Sequence, residues 1–231
     1  MINILISFDK LPKYMQNEEV KKYYDILKNK KATIIIKRLF DVITSLVLII
    51  FLLPFLALIA LIIKLDSPGK IIFAQERITK YGKKFKVLKF RTMVKNAESL
   101  GSKVTKDNDP RITKCGKWLR KFRLDELPQI FNIFKGELSF VGVRPEVPQY
   151  VKCYTPEMYA TLLLPAGVTS LTSILYKNES KLLKSTDNPD EIYVNKILPQ
   201  KMKYNLEYIK DFNFWYDIKI MIKTVLAVIK K

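Results

Sequence analysis

The chain has 231 residues, no histidine and a formal net charge of +19. That length suits one domain with appendages, and a positive charge spread along it favours anionic partners: lipid head groups, nucleic acid or phosphorylated substrates. Without histidine the commonest general base and transition-metal ligand are excluded, so any catalysis leans on Asp, Glu, Lys, Arg, Tyr or Cys.

Residues 1–36 read as an N-terminal extension. Ile2 to Ile6 is either a short strand or a plain apolar start. Glu18 to Lys31 reads as a polar surface helix near a membrane, with Val20, Tyr24 and Leu27 on one face. There is no signal-peptide cleavage pattern. Cys115 and Cys153 lack metal-site spacing and read as reduced thiols in a cytosol-facing protein.

Val42 to Ile63 is uncharged, overwhelmingly apolar and long enough to span a bilayer. A membrane helix is expected over 37–65, broken or kinked at Pro54. Lys30, Lys31, Lys37 and Arg38 precede it; Lys64, Lys70 and Arg77 follow. Positive residues mark the cytoplasmic side, and here both flanks are positive. A straight crossing strands one basic flank outside; a helix re-entering at Pro54 leaves both inside. Pro54 removes one backbone donor, and Ser45 is a candidate to satisfy the freed carbonyl. From these residues both topologies stay open.

Residues 66–231 read as one domain. Asp66 to Lys70 is a turn, and strands over 71–75 and 84–90 flank a connection at Tyr81-Gly82. Lys89 and Arg91 alternate with apolar residues and share one strand face; a solvated surface is the plain alternative. Val94 to Leu100 reads as a short helix and 101–109 as a loop. Asp109-Pro110-Arg111 leads into an amphipathic helix from about Lys114 to Phe122. Its apolar stripe is Trp118, Leu119 and Phe122 and its basic face includes Arg120, a division that suits a membrane interface or a globular core.

Arg120 to Gln129 sets two adjacent carboxylates, Asp125 and Glu126, directly behind three cations. A helix is expected to start there, with Asp125 at or near its N-cap, Pro128 in the first turn and Lys135-Gly136 at its end. Backbone N–H groups beside Arg120 and Arg123 make a phosphate site, and a carboxylate held there is a metal ligand, a nucleophile or both. The plain alternative is an N-cap with a first-turn acid. Further on, 138–143 reads as a strand, and Pro145 fixes an extended backbone at Arg144, whose planar fork suits phosphate; a surface salt bridge is the alternative. Helices follow over 150–164, 193–210 and 214–229, with a loop at 165–170 and a strand at 171–176. The fold class is α+β: a membrane helix and a mostly helical domain with a small sheet and interfacial helices.

Several of these segments, in this order, resemble the bacterial sugar transferases that are polyprenol-phosphate phosphoglycosyl transferases with one membrane-inserted helix. They are Lys37-Arg38-Leu39-Phe40-Asp41, Pro54, Gln75-Glu76-Arg77, Lys89 to Met93, Asp109 to Thr113, Leu124 to Gln129 and Ser139 to Glu146. The resemblance runs from about Ile36 to Lys230. It implies transfer of a sugar-1-phosphate from a nucleotide sugar, usually a UDP-sugar, to polyprenyl (undecaprenyl) phosphate, with release of UMP. Asp125 is then the nucleophile that carries the phosphosugar and Glu126 its partner, both near Mg2+. Arg120 and Arg144, with Lys89, Arg91 and Arg111, are implied phosphate or nucleotide binders. The resemblance also implies a helix broken at Pro54, contact with anionic lipids, the cytoplasmic face of the bacterial inner membrane, and downstream glycosyltransferases as successors. Many members carry Pro-Gly-Ile-Thr-Gly where this chain has Pro165-Ala166-Gly167-Val168-Thr169-Ser170, so the sugar is not carried over. The rivals are a lipid-linked glycosyltransferase releasing UDP, a non-catalytic scaffold, and a membrane-tethered nucleic-acid-binding module, for which no motif is present.

Overall fold

The computed structural model describes residues 5–97, 109–176 and 188–229. Helix α1 spans Glu18–Lys28, capped by Asn17, whose side chain accepts from Val20 N–H. Val20, Tyr23, Tyr24 and Leu27 of α1 are buried. They pack with Ala160, Leu163, Ile209 and Phe212 from the far end of the chain. This helix is a core element, against the expected surface one, because Tyr23 adds a second row to the apolar face.

Helix α2 runs without interruption from Lys31 to Asp66, with Pro54 inside it. No loop breaks it at Pro54. Ser45 donates to its own helix at Val42 O (3.1 Å) rather than to the carbonyl that the proline frees. Ile34, Lys37, Asp41, Ser45, Leu56, Ile59 and Ile63 form the buried stripe. Ile43, Ile50, Phe51, Leu53, Leu58, Leu61 and Leu65 stay exposed, so this is no core helix of a soluble domain. Both ends dock on one domain. At the first end Arg38 donates to the carbonyls of Ile133 and Phe134 (2.8 and 2.9 Å), and Lys37 forms a buried ion pair with Asp217. At the second, Arg91 donates to Ile63 O (3.2 Å), and Asp66 accepts from Cys115 N–H (3.2 Å).

Strands β1 (Ile72–Ile78) and β2 (Lys84–Phe90) form an antiparallel hairpin, turning through Tyr81 and Gly82 with φ 58° and 71°. Helix α3 spans Lys114–Lys121, α4 Gln129–Lys135, and β3 Leu138–Val141. Short α5 (Pro148–Val151) and a 3-10 turn at 157–162 replace the helix expected over 150–164; Pro156 interrupts it. The expected loop at 165–170 holds strand β4 (Ala166–Thr169), which pairs parallel with β3. Glycines allow this close approach: a Cβ on Gly167 would lie 2.1 Å from Gly142 N. The expected strand at 171–176 is helix α6 (Leu171–Leu175), started by Ser170, whose hydroxyl accepts from Ser173 N–H. The cap outweighs the β-branched composition. Helices α7 (Pro189–Ile192), α8 (Leu198–Lys210) and α9 (Phe214–Ile229) follow, with a π turn at Tyr193–Ile197 leading into α8. The short helix expected from Val94 does not form over the described residues 94–97. The rest of that segment, residues 101–108 of the expected loop, and Ile2 to Ile4 lie outside the described residues. The class is α+β as expected, with the sheet divided into two separate pairs.

Candidate active site

The site is built where β2, α3 and α4 meet. Thr113 N–H donates to Thr92 O (3.0 Å), which stitches the start of α3 to the residue just past β2. The Thr113 hydroxyl caps α3 by accepting from Gly116 N–H. Gly116 is required there, because a Cβ would come within 2.2 Å of Thr92 O. Two turns later, Arg120 Nε donates back to Thr92 Oγ1 (2.8 Å). One residue thus fixes both the start of α3 and the guanidinium near its end.

After α3 the backbone turns through Arg123 in the left-handed region, φ 59°. A non-glycine residue there is strained, and such strain collects at functional sites. Leu124, Asp125 and Glu126 then make a single 3-10 turn. The dyad therefore lies near the N-cap of α4 but just ahead of the helix, and Pro128, expected in the first turn, is itself the N-cap. The pyrrolidine suits the cap but delays the α-helical ladder beyond the carboxylates. Leu124 and Leu127, either side of the dyad, pack against a cluster that joins Leu56, Ile59 and Ile63 of α2 to Phe90 and Leu119. The acids sit beside the apolar helix.

The two carboxylates differ in proton affinity. Burial alone pushes Glu126 up, but Lys89, Arg144 and Arg123 together outweigh it and hold the carboxyl at about 2. Lys89 Nζ meets Glu126 Oε1 at 2.7 Å, both side chains largely buried. Asp125 moves the other way. Burial first, then the adjacent Glu126 charge, raise it above the usual carboxylate value, while Lys89 and Arg120 pull it partly back. Neighbouring titratable groups with divergent proton affinities are a signature of acid–base or nucleophilic sites.

The structure brings together Lys89, Arg120, Arg123, Asp125, Glu126 and Arg144. Arg111 is one step removed: it holds Asp109 with two nitrogens (2.9 and 2.7 Å), and its charge is felt at Arg120. Arg91 is elsewhere. It is 9% exposed, and its Nη2 binds Ile63 O, Ser67 O and Ser67 Oγ, so it caps the end of α2. Strand alternation put Lys89 and Arg91 on one face; the strand ends at Phe90 and separates them. Thr92, the anchor of Arg120, was legible only as part of the 89–93 segment.

Among the described residues no three His, Cys, Asp or Glu side chains converge. Asp125 and Glu126 supply oxygen donors alone. Magnesium is commonly held by one or two carboxylates plus substrate phosphates and water, so the donor set fits magnesium arriving with a diphosphate and does not form a dedicated cage.

Of the two surroundings the apolar stripe allowed, it meets both: Leu119 of α3 enters the core, while Trp118 and the C-cap residue Phe122 are 52% and 49% exposed. Their rings meet edge-on at 5.3 Å and Lys121 stands over Phe122. An exposed aromatic and basic face beside α2 suits a head-group layer.

The family profile described as bacterial sugar transferase matches residues 32–231. The chain is 33% identical over 198 residues to a UDP-N-acetylgalactosamine-undecaprenyl-phosphate N-acetylgalactosaminephosphotransferase of Aeromonas hydrophila, covering 84% of this chain and 44% of the relative. It is 36% identical to an undecaprenyl-phosphate glucose phosphotransferase of Komagataeibacter xylinus (82% and 35%). It is 34% identical to the UDP-glucose:undecaprenyl-phosphate glucose-1-phosphate transferase of Escherichia coli strain K12 (83% and 39%). The chain thus spans less than half the length of these curated relatives. With the family profile matching nearly the whole chain, this protein belongs to the bacterial sugar transferase family.

Proposed function

We propose that the protein is a phosphoglycosyl transferase that moves a sugar-1-phosphate from a UDP-sugar to undecaprenyl phosphate and so begins the assembly of a glycan. The observation that carries this reading is the dyad: two adjacent carboxylates of opposite tendency, ringed by Lys89, Arg120, Arg123 and Arg144, on a turn packed against α2.

In this reading an Asp125 oxygen attacks the sugar-bearing phosphorus. The bond from that phosphorus to the bridging oxygen breaks and UMP leaves with the electron pair. An oxygen of undecaprenyl phosphate then attacks the same phosphorus, releasing Asp125 and forming the lipid diphospho-sugar. The leaving group is already a phosphate and needs no strong acid, so a site without histidine suffices. Asp125 is the better nucleophile of the pair because its carboxylate is more basic, while Glu126 is held ionised by Lys89 and orients cations. Arg120 and Arg144 balance the diphosphate charge. Magnesium, when bound at Asp125 and Glu126, would neutralise more of it.

Docking of both ends of α2 on one domain supports the re-entrant topology, since a crossing helix delivers its ends to opposite faces. The basic flanks then belong to the cytoplasmic side, where nucleotide sugars are met at the head-group layer. The test is incubation of the full chain with undecaprenyl phosphate and a panel of UDP-sugars that includes glucose and N-acetylgalactosamine. UMP release, and an adduct of phosphosugar mass on the Asp125 peptide, are expected. UDP release would replace this reading with a glycosyltransferase that leaves the phosphate behind.

A further inference from the structure

Behind Arg144 lies a buried polar triad that the dyad chemistry does not use. Glu146, Tyr193 and Lys201 are 7%, 4% and 4% exposed. The Tyr193 hydroxyl donates to Glu146 Oε1 at 2.6 Å. Lys201 Nζ donates to the Tyr193 oxygen at 2.9 Å and to Glu146 Oε1 at 3.4 Å. Lys201 also stands over the Tyr193 ring, 4.9 Å from its centroid.

The register of this triad depends on an irregularity. In a plain α-helix, residues eight apart differ by roughly 80° around the axis, so Tyr193 and Lys201 would point in different directions. The π turn at Tyr193–Ile197, closed by Leu198 N–H on Tyr193 O, inserts one residue. Eight positions then behave as seven, about 20° from two full turns, and both side chains reach Glu146. π turns of this kind gather at functional sites.

The other side of the Arg144 segment is fixed by strands. Gly167 N–H donates to Val143 O (2.9 Å) and Ile78 N–H to Glu146 O (3.0 Å). Arg77 Nη1 reaches Pro145 O at 3.3 Å. The backbone is thus held on both sides of Arg144, and the triad locks the next charged side chain. A buried ion pair is a poor source of net stability, because apolar packing of equal volume does as well or better. Its value here is geometric.

We infer that Tyr193 and Lys201 are positioning residues: acting through Glu146, they set the angle at which the Arg144 guanidinium meets the nucleotide diphosphate. The inference rests on the proposed function for the diphosphate and on the triad for the positioning, and the tests separate the two. The full chain in nanodiscs is compared with Tyr193→Phe, which deletes one oxygen, and with Lys201→Met and Lys201→Arg. Tyr193→Phe is expected to raise KM for the UDP-sugar about fivefold, with kcat within about twofold, and to weaken UDP binding by calorimetry to the same extent. Lys201→Met does likewise and Lys201→Arg recovers part of the loss. In an Arg144→Ala background Tyr193→Phe has no further effect on KM. Amide exchange over 143–147 quickens in Tyr193→Phe whether or not a nucleotide binds. Unchanged exchange, an additive effect with Arg144→Ala, or a loss confined to thermal stability overturns the inference. A wild type that binds no UDP overturns the functional reading, while the exchange measurement still decides whether the triad holds the segment.

Discussion

Asp125 and Glu126 are chemically similar neighbours that the fold makes different, and several consequences can be measured. Asp125 is raised mainly by burial, so the folded state binds its proton more tightly than the unfolded chain does. Stability from this group is present at low pH and lost as pH rises through its folded value. Asp125→Asn removes that penalty at pH 7. It is expected to leave the melting temperature unchanged or higher while turnover falls by roughly 10⁴-fold or more; retained turnover would reject Asp125 as nucleophile. Glu126, held at about 2, behaves oppositely. It stabilises above the usual carboxylate range, and that contribution fades as pH falls toward 2. The acid limb of the rate profile therefore belongs to Asp125. Lys89 lowers both carboxyls, so Lys89→Met should move that limb to higher pH in single-turnover UMP release. A limb that stays put or moves down would contradict the assignment. The dyad itself was legible as paired acids behind cations. Their divergence was not, since it depends on a salt bridge 37 positions apart in sequence.

Helix α2 shows what local pattern reveals and what it hides. Its apolar run is legible because 22 uncharged residues in a row, Val42 to Ile63, have few other uses. The hairpin and α3 were legible from turn residues and amphipathic spacing. Strand β4 and helix α6 were misread because parallel pairing with β3 and the Ser170 cap are decided by partners that periodicity does not contain. Lys37 shows the same limit: in the sequence it is one of several cations flanking the apolar run, yet it is 6% exposed and paired with Asp217 of α9, which also accepts from the Tyr208 hydroxyl at 2.8 Å. Breaking a buried pair from one side leaves an uncompensated charge and costs about 3–5 kcal/mol. Lys37→Met should destabilise the detergent-solubilised protein by that order in denaturant unfolding, and Lys37→Met with Asp217→Leu should recover most of it. A single variant as stable as wild type would show that α9 is held to α2 by other means.

Taken together, the molecule is a domain that carries an apolar helix by both of its ends. With Cys115 and Cys153 replaced, single cysteines at Lys30 and Lys70 in right-side-out and inverted vesicles report the topology. Both are expected to react with an impermeant maleimide from the cytoplasmic side alone. Labelling of one from each side would reject re-entry and restore the crossing helix. The same arrangement explains why site and anchor are inseparable. Leu124 and Leu127, either side of the dyad, pack on the same cluster as Leu56, Ile59 and Ile63 of the helix.

Residues of α1 and of the start of α2 find partners far downstream. Tyr23 reaches Glu157 across 134 positions, and Lys30 and Lys37 reach Lys210 and Asp217 across 180 each. Nascent α2 therefore leaves the ribosome long before Lys210 and Asp217, which hold Lys30 and Lys37 at its first end, have been translated. Closure of the domain around α2 comes last, with helix α1 waiting throughout. During that interval its apolar side needs shelter from a chaperone or from the bilayer surface.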